Sequence, residues 1–142
     1  MNILIVDGQG GGIGKTLVSK LKALADEYNF KITAVGTNSA ATLAMKKAGA
    51  TESATGENAV IVNSAHADII AGSIGIIAAN SMLGELSPKM AEAIAKSPAS
   101  KVLIPFNKCN LRIVGITTDS LPNIIDKAVD EIILITKEKT SF

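Results

Sequence analysis

The residues best suited to chemistry lie near the start of the chain, in Asp7-Gly-Gln-Gly-Gly-Gly-Ile-Gly-Lys15. Five glycines fall within the seven positions from Gly8 to Gly14. Glycine takes positive φ at little steric cost and lets another molecule touch the backbone. A strand that turns through such residues into a helix presents unpaired N–H groups, and the positive end of a helix dipole, to an anion. The chemistry predicted here is the holding of a phosphate, with the backbone N–H groups of Gly10 to Gly14 as donors and Gly8, Gln9 and Ile13 completing the loop. Asp7 is expected to orient the loop or bind a ribose. Lys15, in the first helical turn, opposes the helix dipole by about 0.3–1 kcal/mol, a sign that an anionic ligand would reverse. The competing reading of the glycines is a tight turn that packs helix on strand and binds nothing. For Lys15 it is a side chain pointing to solvent.

Other reactive side chains are few. His66 is the single histidine and stands beside a strand start, on the end opposite the glycine loop. No second His or Cys lies at ligand spacing, so no metal site is expected. Cys109, in Asn107-Lys-Cys-Asn110, is placed near the ligand edge, where Lys108 could lower its pKa. Glu57 and Glu85 sit in Thr-Gly-Glu-Asn and Leu-Gly-Glu-Leu contexts. Either could act as a general acid or base, or equally be a helix-end carboxylate. Catalytic residues are therefore left unassigned.

These residues need elements to position them. Asn2 to Asp7 reads as a buried strand, a short apolar β-branched run bounded by glycine. Ile13, Leu17, Leu21, Leu24 and Tyr28 recur at helical spacing. Phe30 to Val35 is the second strand, ending in Gly36-Thr37-Asn38, and Asn38 or Ser39 can cap the alanine-rich helix that stops at Gly49. Thr51 to Glu57 is expected to be loop. A short helix precedes a strand at Asp68 to Ala71, which turns at Gly72-Ser73, and Ile76 to Leu83 continues as an apolar helix. Ser87-Pro88 opens another helix through Lys96. Val102 to Phe106 is the fourth strand, and a short link to Arg112–Ile116 implies an antiparallel fifth. Leu121-Pro122 begins a last helix to about Thr136, with a fraying tail.

Strand and helix alternate, so residues 1–142 are expected to form a single three-layer α/β domain with a mostly parallel sheet of about five strands. The preferred order is 2-1-3-4 with the antiparallel fifth strand at the edge, and 3-2-1-4 is the alternative. The carboxyl ends of the parallel strands bring Asp7-Gly8, Thr37, Asn38, Ser73 and Asn107 to one edge, where open α/β sheets bind ligands. With net charge +1, one tyrosine, three phenylalanines and no tryptophan, the chain has neither the basic footprint nor the stacking platform of a nucleic-acid binder. One cysteine fits a reducing compartment. The apolar stretch Ile74 to Leu83 is too short to span a bilayer. Ile3 to Val6 enters the glycine loop without a charged leader, so a cytoplasmic protein is expected. The same apolar stretch is read as a core helix or as a subunit interface, and a homo-oligomer is expected.

Two motifs share the loop. The spacing Gly8, Gly12, Gly14 resembles the nucleotide-binding turn of short-chain dehydrogenase/reductases, although that family's Tyr-x-x-x-Lys is absent and no acid ends the second strand. Gly11-Gly-Ile-Gly-Lys-Thr16 resembles the end of the deviant Walker motif of partitioning-type ATPases, but lacks its extra lysine and a strand-end acid for Mg²⁺. Over nearly its whole length the chain resembles a group of small bacterial proteins catalogued as a domain of unknown function. The residues that carry this are Asp7 to Lys15, Gly36-Thr-Asn38, Thr55-Gly-Glu-Asn58, Ile74-Gly-Ile76, Asn80-Ser-Met-Leu-Gly-Glu85 and Pro88-Lys-Met-Ala-Glu92. The expected function is a Rossmann-like module that binds a mononucleotide, a dinucleotide or another phosphate-bearing small molecule at residues 8–14. The alternatives are a small enzyme on a phosphorylated metabolite using Glu85 or Cys109, a deviant-Walker NTPase, and a non-catalytic structural partner.

Overall fold

The apolar run Ile3–Val6 is buried on both faces, as a central parallel strand must be. In the computed structural model, which describes residues 1–106, 110–116 and 119–141, this run forms β1 (Asn2–Asp7). β2 (Lys31–Gly36) pairs with it on one side and β4 (Ile69–Ser73) on the other, both parallel. β3 (Glu52–Thr55) lies outside β2, and β5 (Ser100–Ile104) lies outside β4. The sheet order is β3-β2-β1-β4-β5, with every pairing parallel.

Alternation along β1 divides the core. Ile3 and Ile5 pack with Leu17, Val18 and Leu21 of α1 (Gly12–Lys22) and with Met45 of α3 (Ser39–Ala48). The same face receives Ile125, Val129 and Ile132 of α6 (Leu121–Thr140). Leu4 and Val6 meet Val60 of α4 (Glu57–His66) and Met90 and Ile94 of α5 (Pro88–Lys96) on the other. Burying each such side chain contributes roughly 1.5–3 kcal/mol, so the layers are held by ordinary hydrophobic burial. A one-turn helix, α2 (Ala25–Tyr28), separates α1 from β2. The expected caps are present: Asn38 Oδ1 accepts from Ala41 N at 2.9 Å, and Ser87 Oγ accepts from Met90 N at 3.2 Å.

Three expectations are corrected. The last strand is parallel, and Arg112–Ile116 forms no strand; it is irregular, with a turn at Val114-Gly115. Its apolar, β-branched residues imitate a buried strand, yet Val114 is 98% exposed. The fifth strand is instead β3, drawn from the polar stretch expected to be loop. It is an edge strand held by backbone pairing of Glu52–Thr55 with Thr33–Gly36. Finally, Ile76–Leu83 is not a helix. A 3₁₀ turn covers Ile74–Ile77, and the chain then reverses through left-handed φ at Asn80, Met82, Leu83 and Gly84. The reversal is closed by Asn80 N–H donating to Leu86 O at 2.8 Å. The order expected for β1, β2, β4 and β5 agrees with the sheet, and the last helix runs to Thr140 rather than Thr136. Asn107 and Cys109 lie outside the described residues.

The close approach of β2 to α3 makes one glycine testable. A Cβ on Gly36 would lie 2.6 Å from Thr42 N and 2.7 Å from Asn38 O, both backbone atoms that cannot swing aside. Gly36→Ala is expected to destabilise the fold by about 1–3 kcal/mol, read as a lower urea midpoint at unchanged m-value.

Candidate functional site

The sheet order reverses between β1 and β4, so the loops that follow these strands run apart and leave a crevice at their carboxyl ends. The loop after β1 is fastened by Asp7, which is 7% exposed. Its Oδ1 accepts from Gly8 N at 2.8 Å and its Oδ2 from Gly14 N at 2.6 Å, bridging the strand end to the first turn of α1. Burial pushes the Asp7 carboxyl up, the bonds from Gly14 and Gly8 pull it back, and the nearby Glu85 charge raises it further. The loop closes with Gly11 N–H donating to Gly8 O at 3.0 Å.

The five glycines divide by what demands them. Gly11 has φ +74°, and a Cβ there would lie 2.9 Å from Ala41 Cα. A Cβ on Gly14 would press Asp7 Cβ at 2.8 Å, and one on Gly8 would press Met82 Sδ at 2.6 Å. Gly10 and Gly12 differ. Neither has left-handed φ, and a Cβ on either would meet nothing within 4 Å among the described residues. The amides of Gly10, Gly12 and Ile13 have no hydrogen-bond partner among the described residues.

A cleft of about 480 Å³ opens over this loop. That volume lies within the usual range for small-molecule sites. Asp7 to Ile13 form one wall; Ser73, Gly75, Ser81, Met82, Leu83 and Phe106 form the rest. Ser73 is 7% exposed, and its hydroxyl has no hydrogen-bond partner among the described residues. Ser81 Oγ donates to Gly75 O at 2.6 Å and so fixes the turn beside it.

Glu85 reaches the loop from 76 residues away. Its Oε1 accepts from Gln9 N at 2.8 Å, Thr37 Oγ1 at 2.7 Å and Asn38 Nδ2 at 2.7 Å. The Gln9 amide and the Thr37 hydroxyl hold its carboxyl below the ordinary range against partial burial, helped by Asn38.

Of the sequence-predicted residues, Asp7, Gly8, Gln9, Gly10, Gly11, Gly12, Ile13 and Ser73 converge on the cleft. Gly14 is buried, with its amide committed to Asp7. Lys15 is exposed and stands outside the lining. Thr37 and Asn38 are bound to Glu85 and do not reach the wall. Thr16 Oγ1 donates to Gly12 O at 2.9 Å. Glu57 Oε2 accepts from Ser87 Oγ at 2.6 Å, away from the cleft. His66 ends α4, at the opposite end of the strands. Among the described residues, no three His, Cys, Asp or Glu side chains group to hold a metal. No helix of the described residues is long and apolar enough to cross a membrane. Gly75, Ser81, Met82, Leu83 and Phe106 were not foreseen; the small-residue turn Gly72-Ser-Ile-Gly75 was the one signal for them.

The chain belongs to the family described as Domain of unknown function (DUF3842), whose model matches residues 2–137. No curated protein matches its sequence. Among solved structures it is similar to a dodecameric FMN-dependent UbiX-like decarboxylase from Escherichia coli O157:H7, with 15% identity and a TM-score of 0.51 over 99% of this chain and 95% of that one. AibC is similar at 17% identity and a TM-score of 0.47, over 96% of this chain and 42% of its own. A universal stress protein in complex with cAMP gives 17% identity and a TM-score of 0.39, over 72% of this chain and 95% of its own. The first of these likenesses establishes a shared α/β fold.

The Glu85 contacts predict a pH signature. A carboxyl whose folded pKa is lowered contributes stability above its unfolded value, near 4.3, and that stability is lost as pH falls through the folded value. Glu85→Gln removes this titration. The stability difference between wild type and variant, about 1 kcal/mol from the weakened hydrogen bonds, should be constant above about pH 5.5 and shrink below about pH 4.3. Chemical denaturation across pH reads it; a difference that grows on acidification contradicts the assignment.

Proposed function

We propose that the cleft binds a phosphate-bearing small molecule, of the nucleotide class, with its phosphate on the amides of Gly10, Gly12 and Ile13. The observation that carries this is the pair Gly10 and Gly12. Backbone conformation does not demand glycine at either position, and no neighbour among the described residues would meet a Cβ there. An approaching ligand would. The first turn of α1 adds the positive end of its dipole at the same place, worth up to ~1 kcal/mol for an anion at an exposed helix end.

Glu85 is poorly suited to proton donation in such a site. Its carboxyl is held ionised and is engaged by three donors through one oxygen. Binding rather than catalysis is the function proposed. Self-association belongs to the same proposal, with Leu83 and Val114, each 98% exposed, offering apolar surface for it.

Gly12→Val separates folding from binding. A Cβ at Gly12 meets nothing within 4 Å among the described residues, so thermal unfolding should shift by less than ~1 kcal/mol equivalent. Affinity for inorganic phosphate or adenosine monophosphate, measured by isothermal titration calorimetry, should fall at least about tenfold, the equivalent of ~1.4 kcal/mol. Unchanged affinity in a folded Gly12→Val protein would remove the phosphate from this loop.

A further inference from the structure

In a doubly wound sheet, a ligand that straddles the β1 loop lays one half over the end of β2 and the other over the strand on the far side of the switch point. Here the chain fills the β2 side with its own side chains. Glu85 Oε1 holds Gln9 N–H, the Thr37 hydroxyl and the Asn38 amide together. Met82 covers Gly8, so a Cβ there would lie 2.6 Å from Met82 Sδ and 3.2 Å from Glu85 Oε1. The cleft accordingly extends the other way, toward Ser73 and Phe106, and neither Thr37 nor Asn38 is in its wall. Ser73 lies nine-tenths buried in that wall, with a hydroxyl unpartnered among the described residues, and so marks the β4 side as the one prepared for a ligand.

We infer that Glu85 is a specificity-determining residue that confines the ligand to the β1–β4–β5 half of the edge, so that the site takes nucleoside or flavin monophosphates and rejects their dinucleotide counterparts. The inference rests on the phosphate reading of the glycine loop. Glu85 acts by occupancy. Its carboxylate engages the donors that a second nucleotide half would need, and its backbone holds Met82 over Gly8. The β4 side offers a polar end at the loop and Ser73, and an apolar end at Met82, Leu83 and Phe106. That gradient suits one phosphate carrying one flat, largely apolar body.

Two matched pairs of probes test this, adenosine monophosphate against NAD⁺ and FMN against FAD, with inorganic phosphate as the base probe. Titration calorimetry on wild type should show at least one monophosphate bound tenfold or more tightly than its dinucleotide. Glu85→Ala, checked for folding by circular dichroism, should close that gap to within threefold by gaining dinucleotide affinity. Glu85→Gln keeps the accepting oxygen and the bulk and removes the charge, so it should keep the gap. Wild type that binds both NAD⁺ and FAD as tightly as their matched monophosphates would overturn the inference and leave the phosphate reading standing. So would a gap that persists in folded Glu85→Ala, or one that Glu85→Gln closes equally, which would make charge repulsion the cause. Should Glu85→Ala fail to fold, the wild-type selectivity and the Glu85→Gln result still decide. Failure of every probe, phosphate included, would overturn both readings together.

Discussion

One buried carboxylate determines the shape of the ligand edge. Asp7 ends the central strand and, through its two oxygens, ties the first residue of the glycine loop to the third residue of α1. Burying an ionised carboxylate without partners would cost several kcal/mol, so the two amide donors and the helix N-terminus are conditions for its position there. The dependence is mutual. Without Asp7 the Gly14 amide would be a buried orphan, and α1 would lose the anchor that sets its angle to β1. The short 2.6 Å contact to Gly14 is that of a charge-assisted bond.

That anchor also sorts the loop's amides into two groups with different destinies. Gly8 and Gly14 are committed to Asp7, Gly11 to the Gly8 carbonyl, and Gln9 to Glu85. Gly10, Gly12 and Ile13 have no such commitment among the described residues. A loop built only to pack helix on strand would need glycine at 8, 11 and 14, where Met82, Ala41 and Asp7 crowd it. The remaining two glycines meet no such crowding among the described residues, and the proposed ligand is what would account for them.

Much of this was legible in the sequence, and the failures have a common cause. The first strand, the loop and α1 could be read because their signals are local: a β-branched run, clustered glycines and a helical period. The caps at Asn38 and Ser87 are local in the same way. β3 was not legible, because Glu52, Ser53, Ala54 and Thr55 carry no apolar alternation and owe their strand to a neighbour's backbone. The stretch Arg112–Ile116 erred in the opposite direction, its apolar residues suggesting a burial that the tertiary structure does not provide. Ile76–Leu83 reads as helix by hydrophobicity alone, while the reversal at Asn80 to Gly84 rests on backbone bonds with no sequence period. Losing that helix also lost the geometry of Glu85. Its residue type was suggestive, and its arrival at Gln9, Thr37 and Asn38 is purely tertiary.

The way Glu85 arrives bears on how firmly it stays. An acid at the end of β2 itself would be fixed by the sheet. Glu85 instead follows Met82 and Leu83, two non-glycine residues in left-handed φ, each costing roughly 1–3 kcal/mol. Against this stand three hydrogen bonds to a charged oxygen, nominally ~1.5–3 kcal/mol each but weakened because Glu85 is only half-buried. Two further bonds, Asn80 N–H to Leu86 O and Ser81 Oγ to Gly75 O, hold the base of the reversal independently of the carboxylate. The opposing terms are of similar size, so the position of the Met82–Glu85 segment depends on the donors at the end of β2. The glycine loop and its cover are therefore coupled through one side chain.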